Sequence, residues 1–352
     1  MSLSKYVREC VLHKPSYVPG EQPQTKECIK LNTNENPYPL PPEIFEGVNQ
    51  ELFNLNRYPE PTCSALRETA SSVFDIPSEC IIVGNGSDEV FSIILRTFVT
   101  PDESIAILSP SYSLYHVLAS LHGASVTEVC TDSEFDIQEP VIVPEAKVIF
   151  LASPNPPAGN HLNSRFVEDT CAQAKGLVVI DEAYVEFFDF NNLHLTQKYK
   201  NVIVTRTMSK AYGLAGLRIG FGIANEYFIS QMNKVRDSYN IDRLAQVIAT
   251  NALKNKSCFK SIWHKMQETK TSLVNSLIQL DFEIPLSDAN FILAKPKWIS
   301  AADLYSSLSE MKIFVRHFDK SLVTDYVRIS IGTDEEIAKL LQAITLIKEK
   351  MG

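Results

Sequence analysis

The chain has 352 residues, 45% hydrophobic and 21% charged, and this composition excludes a wholly disordered chain, a collagen and a coiled-coil rod. The length exceeds one small domain and calls for two domains or one large α/β unit. Lys and Arg total 33 against 42 Asp and Glu, a formal net charge of -9, which argues against a broad nucleic-acid surface but leaves room for a local anion site built from a few arginines.

Met1 to Lys14 mixes charges with few apolar residues and lacks the apolar core of a signal peptide. No apolar run reaches the length of about eighteen residues that a transmembrane helix needs, so no membrane contact is expected. Pro15, Pro19, Pro23, Pro37, Pro39, Pro41 and Pro42 prevent a long helix, so residues 1–40 are expected to form an arm that wraps the body or walls a binding site. From there helices and strands alternate. The pattern predicts helices over 62–74, 89–98, 114–121 and 165–175, and strands over 81–83, 104–108, 125–129, 147–152, 177–180, 202–205 and 219–223. Such alternation argues a mostly parallel sheet buried between helices, in a large domain spanning 41–264.

Residues 226–280 read as largely helical. Strand signals return at 290–294, 313–315 and 327–331. Thr333 and Glu336 then form a capping box ahead of Ile337, Leu340, Leu341, Ile344 and Ile347 on one helix face. Residues 265–352 are therefore expected to make a smaller α+β domain, packed with the arm. The seven cysteines, Cys10, Cys28, Cys63, Cys80, Cys130, Cys171 and Cys258, are odd in number and lack any CxxC. They predict reduced thiols in a cytoplasmic protein, and the scattered histidines predict no metal site.

Three segments carry chemistry. The first runs from Thr207 through Ser209 and Lys210 to Arg218, in a loop of small residues after a strand. Two hydroxyls and an arginine suit a phosphate dianion, and a neighbouring lysine suits a Schiff base with pyridoxal phosphate. The second is Asp181, at the carboxyl end of an all-apolar strand, where α/β sheets bind ligands; Tyr184 follows in the loop. A buried aspartate needs a partner, and a pyridinium N–H is one; a helix cap or an arginine would be others. The third is Gly84-Asn85-Gly86-Ser87-Asp88-Glu89, between a strand and a helix, whose backbone N–H groups can cradle a phosphate. It fails as a dinucleotide fingerprint, because Glu89 stands where the third glycine belongs. Tyr112 follows another strand, where it could stack on a planar ring or simply pack in the core.

Taken together with Asn34-Glu35-Asn36-Pro37, Arg57-Tyr58-Pro59 and Val327-Arg328-Ile329-Ser330-Ile331-Gly332-Thr333, these motifs resemble the histidinol-phosphate aminotransferase family, within the fold-type I pyridoxal-phosphate enzymes. The resemblance runs from about residue 15 to 335 in the family's order. It implies transamination between histidinol phosphate and 2-oxoglutarate, with pyridoxal 5'-phosphate as cofactor. Lys210 would hold the cofactor and move the proton. Asp181 would pair with the ring nitrogen, Tyr184 with the ring oxygen, and Tyr112 would stack on the ring. Gly86, Ser87, Asp88, Thr207, Ser209 and Arg218 would surround the cofactor phosphate. Tyr58 would reach the partner subunit's cofactor, which implies a homodimer. Arg328 and Arg316 would bind anionic substrate groups, with Tyr17, Asn36 and Asn240 as further substrate contacts.

Two departures stand out. The family often reads P-N-N-P-T-G where this chain has Pro154-Asn155-Pro156-Pro157-Ala158-Gly159, and Pro156 has no donor for the cofactor's ring oxygen. Asn155 or Tyr184 would have to supply it. The loop 236–243 lacks the proline that usually precedes its Tyr-Asn pair. Competing expectations are a relative that transaminates aromatic amino acids, one that decarboxylates threonine phosphate, and a cofactor-binding protein without activity.

Overall fold

A computed structural model describes residues 3–12, 20–23 and 27–351. The arm contributes a short strand, β1 (Ile29–Lys30). The large sheet uses β2 (Ile81–Asn85), β3 (Ser104–Ser109), β4 (Ser125–Cys130), β5 (Ala146–Ala152), β6 (Leu177–Asp181), β7 (Val202–Thr207) and β8 (Ile219–Ile223). Their spatial order is β2-β8-β7-β6-β5-β3-β4. All neighbours run parallel except β8, which is antiparallel to both β2 and β7. A mostly parallel sheet flanked by helices is the architecture expected.

Side chains alternate along each central strand into two separate cores. Val178 and Ile180 of β6 join one apolar cluster, and Leu177 and Val179 join the other. Both faces of β6 are therefore covered, which is why the strand is apolar throughout instead of alternating. One cover is made by helices Gly86–Phe98, Leu114–His122 and Glu226–Val235, which supply Phe91, Ile94, Tyr115, Ala119 and Met232 to that cluster. Phe91, Tyr115 and Phe150 form an aromatic knot there, with Tyr115 stacked on Phe150 at 4.8 Å.

The helical block after Asn225 is three helices, Glu226–Val235, Arg243–Lys254 and Lys256–Gln279. The first two start at Asn225 and Asp242, whose side chains accept from Phe228 N and Ala245 N. Residues 264 and 265 lie inside the 24-residue helix Lys256–Gln279, so the expected domain boundary falls on a continuous rod. The second sheet contains β9 (Phe282–Glu283), β10 (Phe291–Pro296), β12 (Arg316–His317) and β13 (Val327–Ser330), and β11 (Ile313–Phe314) pairs in parallel with β1. β11 falls within the strand expected at 313–315; β1, β9 and β12 had no sequence expectation, because two residues show no period, and helix Ala301–Glu310 had none either. The capping box forms in both directions: Thr333 N–H donates to Glu336 Oε2 at 2.8 Å and Glu336 N–H to Thr333 Oγ1 at 3.3 Å. The helix beginning at Asp334 follows from it.

A buried ion cluster lies beside the sheet. Arg206 on β7 sends Nε and Nη2 to Glu182 Oε2, at 3.0 and 2.8 Å, and lies 3.9 Å from Glu186. Its guanidinium also sits over Phe74, 5.0 Å from the ring centroid. Burial raises the carboxyl of Glu186 above its usual range, and Arg206 pulls it back. Removing the Arg206 guanidinium leaves Glu182 and Glu186 buried without the cation they share. Arg206→Met is therefore expected to lower the unfolding free energy by about 3–5 kcal/mol, measured by urea denaturation at pH 7.

Candidate active site

The carboxyl ends of β6 and β7 face the amino end of helix Gly86–Phe98 across a cavity of roughly 150 Å³. Asp181 lines it, 4% exposed, in register with Ala152 on one side and Thr205 on the other. Its carboxylate accepts from Tyr115 Oη at 2.6 Å and Thr205 Oγ1 at 3.2 Å. Both are neutral donors. Burial pushes the carboxyl up to about 6, and those two hydrogen bonds pull it back only in part.

The opposite end of the cavity is built for an anion. The first turn of helix Gly86–Phe98 points its free N–H groups there, and its N-cap residue Asn85 makes no side-chain cap. Gly86 has φ +79°, and a Cβ on it would lie 2.3 Å from Arg218 Nη2. Only glycine lets the guanidinium lie against the helix start. Gly220 does the same for the neighbouring strand, where a Cβ would meet Ser87 N at 2.3 Å. Arg218 donates to Ser209 Oγ at 3.3 Å and to Asp88 Oδ2 at 3.1 Å. Thr207 Oγ1 donates to Ser209 Oγ at 3.0 Å, and Tyr112 Oη to Asp88 Oδ1 at 3.2 Å. Ser87, Asp88, Tyr112, Thr207, Ser209 and Arg218 all line the cavity.

Lys210 lines it from the loop after β7. Its Nζ donates to Thr33 O at 3.2 Å and lies 5.8 Å from the centroid of the Tyr184 ring. The loop is pinned just behind the lysine, where Ala211 O accepts from Trp263 Nε1 at 2.7 Å and Asn36 Nδ2 at 2.9 Å. The arm thus touches the lysine twice, once through a carbonyl and once through the loop.

Arg316 and Arg328 are cross-strand partners on β12 and β13, so their side chains share one face. Both guanidiniums lie over Phe318, at 5.6 and 5.3 Å, and Arg328 also over Phe291 at 5.1 Å. Arg328 Nη2 donates to Asn32 O at 2.9 Å, one residue from the carbonyl that holds Lys210.

Other expected residues stand elsewhere. Tyr17 lies outside the described residues. Asn155 spends its side chain on Ser111 Oγ, 2.7 Å, and Pro110 O, 3.0 Å; Pro156 and Tyr184, not Asn155, border the cavity. Asn36 borders a second, more open cavity of about 370 Å³ between the arm, the lysine loop and β13. Asn240 is bonded to Val83 O, Glu89 and Arg236, and its carbonyl accepts from Asn85 Nδ2, so it sits at the carboxyl end of β2 beside the helix start but does not line the cavity. Tyr58 is 77% exposed and stacks on Tyr239 at 4.5 Å. Missed by sequence reasoning were Tyr115 and Thr205, the donors to Asp181, and Asn34, which donates to Tyr184 Oη at 3.0 Å. Asn34 opens the segment Asn34-Glu35-Asn36-Pro37, but nothing in those residue types says where its amide points.

The model of the family described as aminotransferase class I and II matches residues 26–344. The chain belongs to this aminotransferase family. It is 54% identical to a histidinol-phosphate aminotransferase of Rippkaea orientalis, over 97% of this chain and 98% of that one. It is 51% identical to a histidinol-phosphate aminotransferase of Synechocystis sp., over 98% and 99%. Its fold matches the crystal structure of histidinol-phosphate aminotransferase from Sinorhizobium meliloti in complex with pyridoxal-5'-phosphate, with a TM-score of 0.84, 21% identity and 92% of each chain covered. The family expected from the motifs is the family found, and the aminotransferase fold is the fold-type I one.

The residues of this aminotransferase fit pyridoxal phosphate. Among the described residues no cation is bonded to the buried Asp181 carboxylate, and a protonated ring nitrogen would supply one. The capless helix start with Arg218 suits the phosphate, and Lys210 is the amine within the same cavity. A raised carboxyl stabilises the cofactor-free fold below the unfolded value near 3.8 and loses that contribution as pH rises through about 6. In cofactor-free protein, Asp181→Asn is therefore expected to add about 1–3 kcal/mol of stability at pH 7 and nothing below pH 4, by urea unfolding at the two pH values.

Proposed function

We propose that this enzyme uses pyridoxal 5'-phosphate to move an amino group between histidinol phosphate and 2-oxoglutarate, giving imidazole acetol phosphate and glutamate in histidine biosynthesis. The near-full-length identity of 54% to a histidinol-phosphate aminotransferase carries the choice of substrate. Bound pyridoxal phosphate supplies an aldehyde for amines and a ring that draws electrons from the adjacent C–H bond.

The chain's residues do the rest. Lys210 would hold the cofactor through Nζ and would carry the proton that transamination moves. Asp181 keeps the ring nitrogen protonated, because its buried charge is stabilised only beside a cation. Ser87, Ser209, Thr207, Arg218 and the backbone of Gly86 to Asp88 hold the phosphate. Tyr112 and Tyr184 line the same cavity, where Tyr112 would stack on the ring and Tyr184 would pair with the ring oxygen. Arg328 and Arg316, two cations side by side on one sheet face, are eased by an anion, and both substrates of a ping-pong cycle bring one. Asn36 supports the lysine loop, and Asn240 and Tyr17 belong to the substrate surround.

The enzyme works as a cytoplasmic homodimer in this proposal. Phe53, Leu55 and Tyr58 form an apolar stretch, with Phe53 89% exposed, in a segment tethered by Arg243 to Glu51 and to Tyr58 O at 2.8 Å each. A second subunit covers it and receives Tyr58 at its cofactor phosphate. Among the described residues no helix is long and apolar enough to cross a membrane. Cys63 and Cys171 are buried, their thiols pushed up to about 12 by burial, which suits inert reduced cysteines.

Three experiments test this. Reconstituted protein should be yellow, and borohydride should trap a cofactor adduct in wild type but not in Lys210→Ala. Half-reactions followed by absorbance should then proceed with histidinol phosphate and not with phenylalanine or threonine phosphate; carbon dioxide from threonine phosphate, with histidinol phosphate inert, would sink the substrate assignment. For the dimer, Phe53→Asp should give a monomer in sedimentation and weaken cofactor retention by tenfold or more, roughly the loss of one charged hydrogen bond per site.

A further inference from the structure

The cavity wall at Pro156 offers no N–H, so a ligand oxygen on that side depends on a side-chain donor. Tyr184 lines the same cavity and is 7% exposed. Its hydroxyl has one proton and two lone pairs. The direction of that proton decides whether Tyr184 presents a donor or only an acceptor.

Asn34 decides the direction. Its Nδ2 donates to Tyr184 Oη at 3.0 Å and so occupies a lone pair. The amide is held in that orientation because its Oδ1 accepts from Ser330 Oγ at 2.9 Å. Ser330 Oγ gives its one proton to that bond while it accepts the Asn34 backbone N–H at 2.8 Å, and a turned amide would take that acceptor away from the serine proton. The Asn34 carbonyl is taken by Asn290 Nδ2 at 3.0 Å. Asn34 is 2% exposed and has φ +57°, a conformation asparagine tolerates better than most residues. Turned over, the amide would face Tyr184 with its oxygen and draw the hydroxyl proton away from the cavity.

We infer that Asn34, oriented by Ser330, is a positioning residue that fixes the Tyr184 hydroxyl proton toward the cavity and makes Tyr184 a donor to the cofactor's ring oxygen. The identity of that ligand rests on the function proposed above. Ser330 lies two residues after Arg328 on β13, on the same face of the strand. One strand therefore carries both an arginine of the proposed substrate anion site and the serine that orients Asn34.

The test titrates the absorbance of protein loaded with pyridoxal phosphate against pH. A donor to the ring oxygen stabilises its anionic form, so losing the donor raises the midpoint. Tyr184→Phe and Asn34→Ala are each expected to raise it by about one pH unit, and the double variant no further than either single one. Ser330→Ala should shift it in the same direction, and Ser330→Thr, which keeps the hydroxyl, should return it to the wild-type value. The serine pair carries the test if Asn34→Ala fails to fold. A wild-type midpoint in Asn34→Ala or Ser330→Ala with cofactor bound overturns the inference, as does a shift that adds to that of Tyr184→Phe. An unmoved midpoint in Tyr184→Phe also overturns it, while a borohydride-trapped adduct in that variant leaves the proposed function standing. A wild type that traps no adduct overturns both.

Discussion

A carboxylate inside a protein needs a cation or it tends to take up a proton. Asp181 stands at the carboxyl end of the central strand, and its carboxylate is held by neutral donors, two hydroxyls and the Ala183 backbone N–H. Everything around the cavity follows from that imbalance. The aromatic knot of Phe91, Tyr115 and Phe150 fixes the hydroxyl below the carboxylate, and register with β7 fixes the one beside it. Neither neutralises it. The site is complete only with a positively charged ring, and the anion cup and lysine lie where the other ends of such a ligand belong.

The second constraint is the short stretch Asn32–Asn34. It runs between the two sheets and touches both. Asn32 O holds Arg328, Thr33 O holds Lys210, and Asn34 bridges Tyr184 to Ser330. Backbone carbonyls this deeply placed need donors, and here the donors are the functional side chains. The arm therefore joins the cofactor half of the molecule to the half that carries the arginine pair. A shift of one sheet against the other would be felt at the lysine and at the tyrosine together.

Much of this was legible in the sequence, and the rest was not for definite reasons. Apolar runs such as Leu177–Ile180 mark a strand buried on both faces wherever they occur, so the central sheet was foreseen. Its order was not, because β2 pairs with β8 and not with β3, its next strand in the chain. Helix Gly86–Phe98 begins three residues before its predicted start, since the first turn needs no internal partners for its N–H groups and so leaves no apolar signature. Asn155, Asn36 and Asn240 looked alike as polar residues near ligand loops. Each turned out to be bonded to nearby backbone: Pro110, Ala211 and Val83 carbonyls.

The amino-acid sequence by itself determined the chemistry available: a lysine beside two hydroxyls, an aspartate closing an apolar strand, a glycine-rich turn before a helix, and two arginines near successive strands. Those are properties of residue type and local spacing. Tertiary structure decided which of them meet and in what electrical state. Burial raised Asp181, the cross-strand register put Arg316 beside Arg328, and Ser330 turned the amide of Asn34 toward Tyr184. Burial, register and hydrogen-bond direction depend on neighbours that are distant along the chain, and no local pattern encodes them.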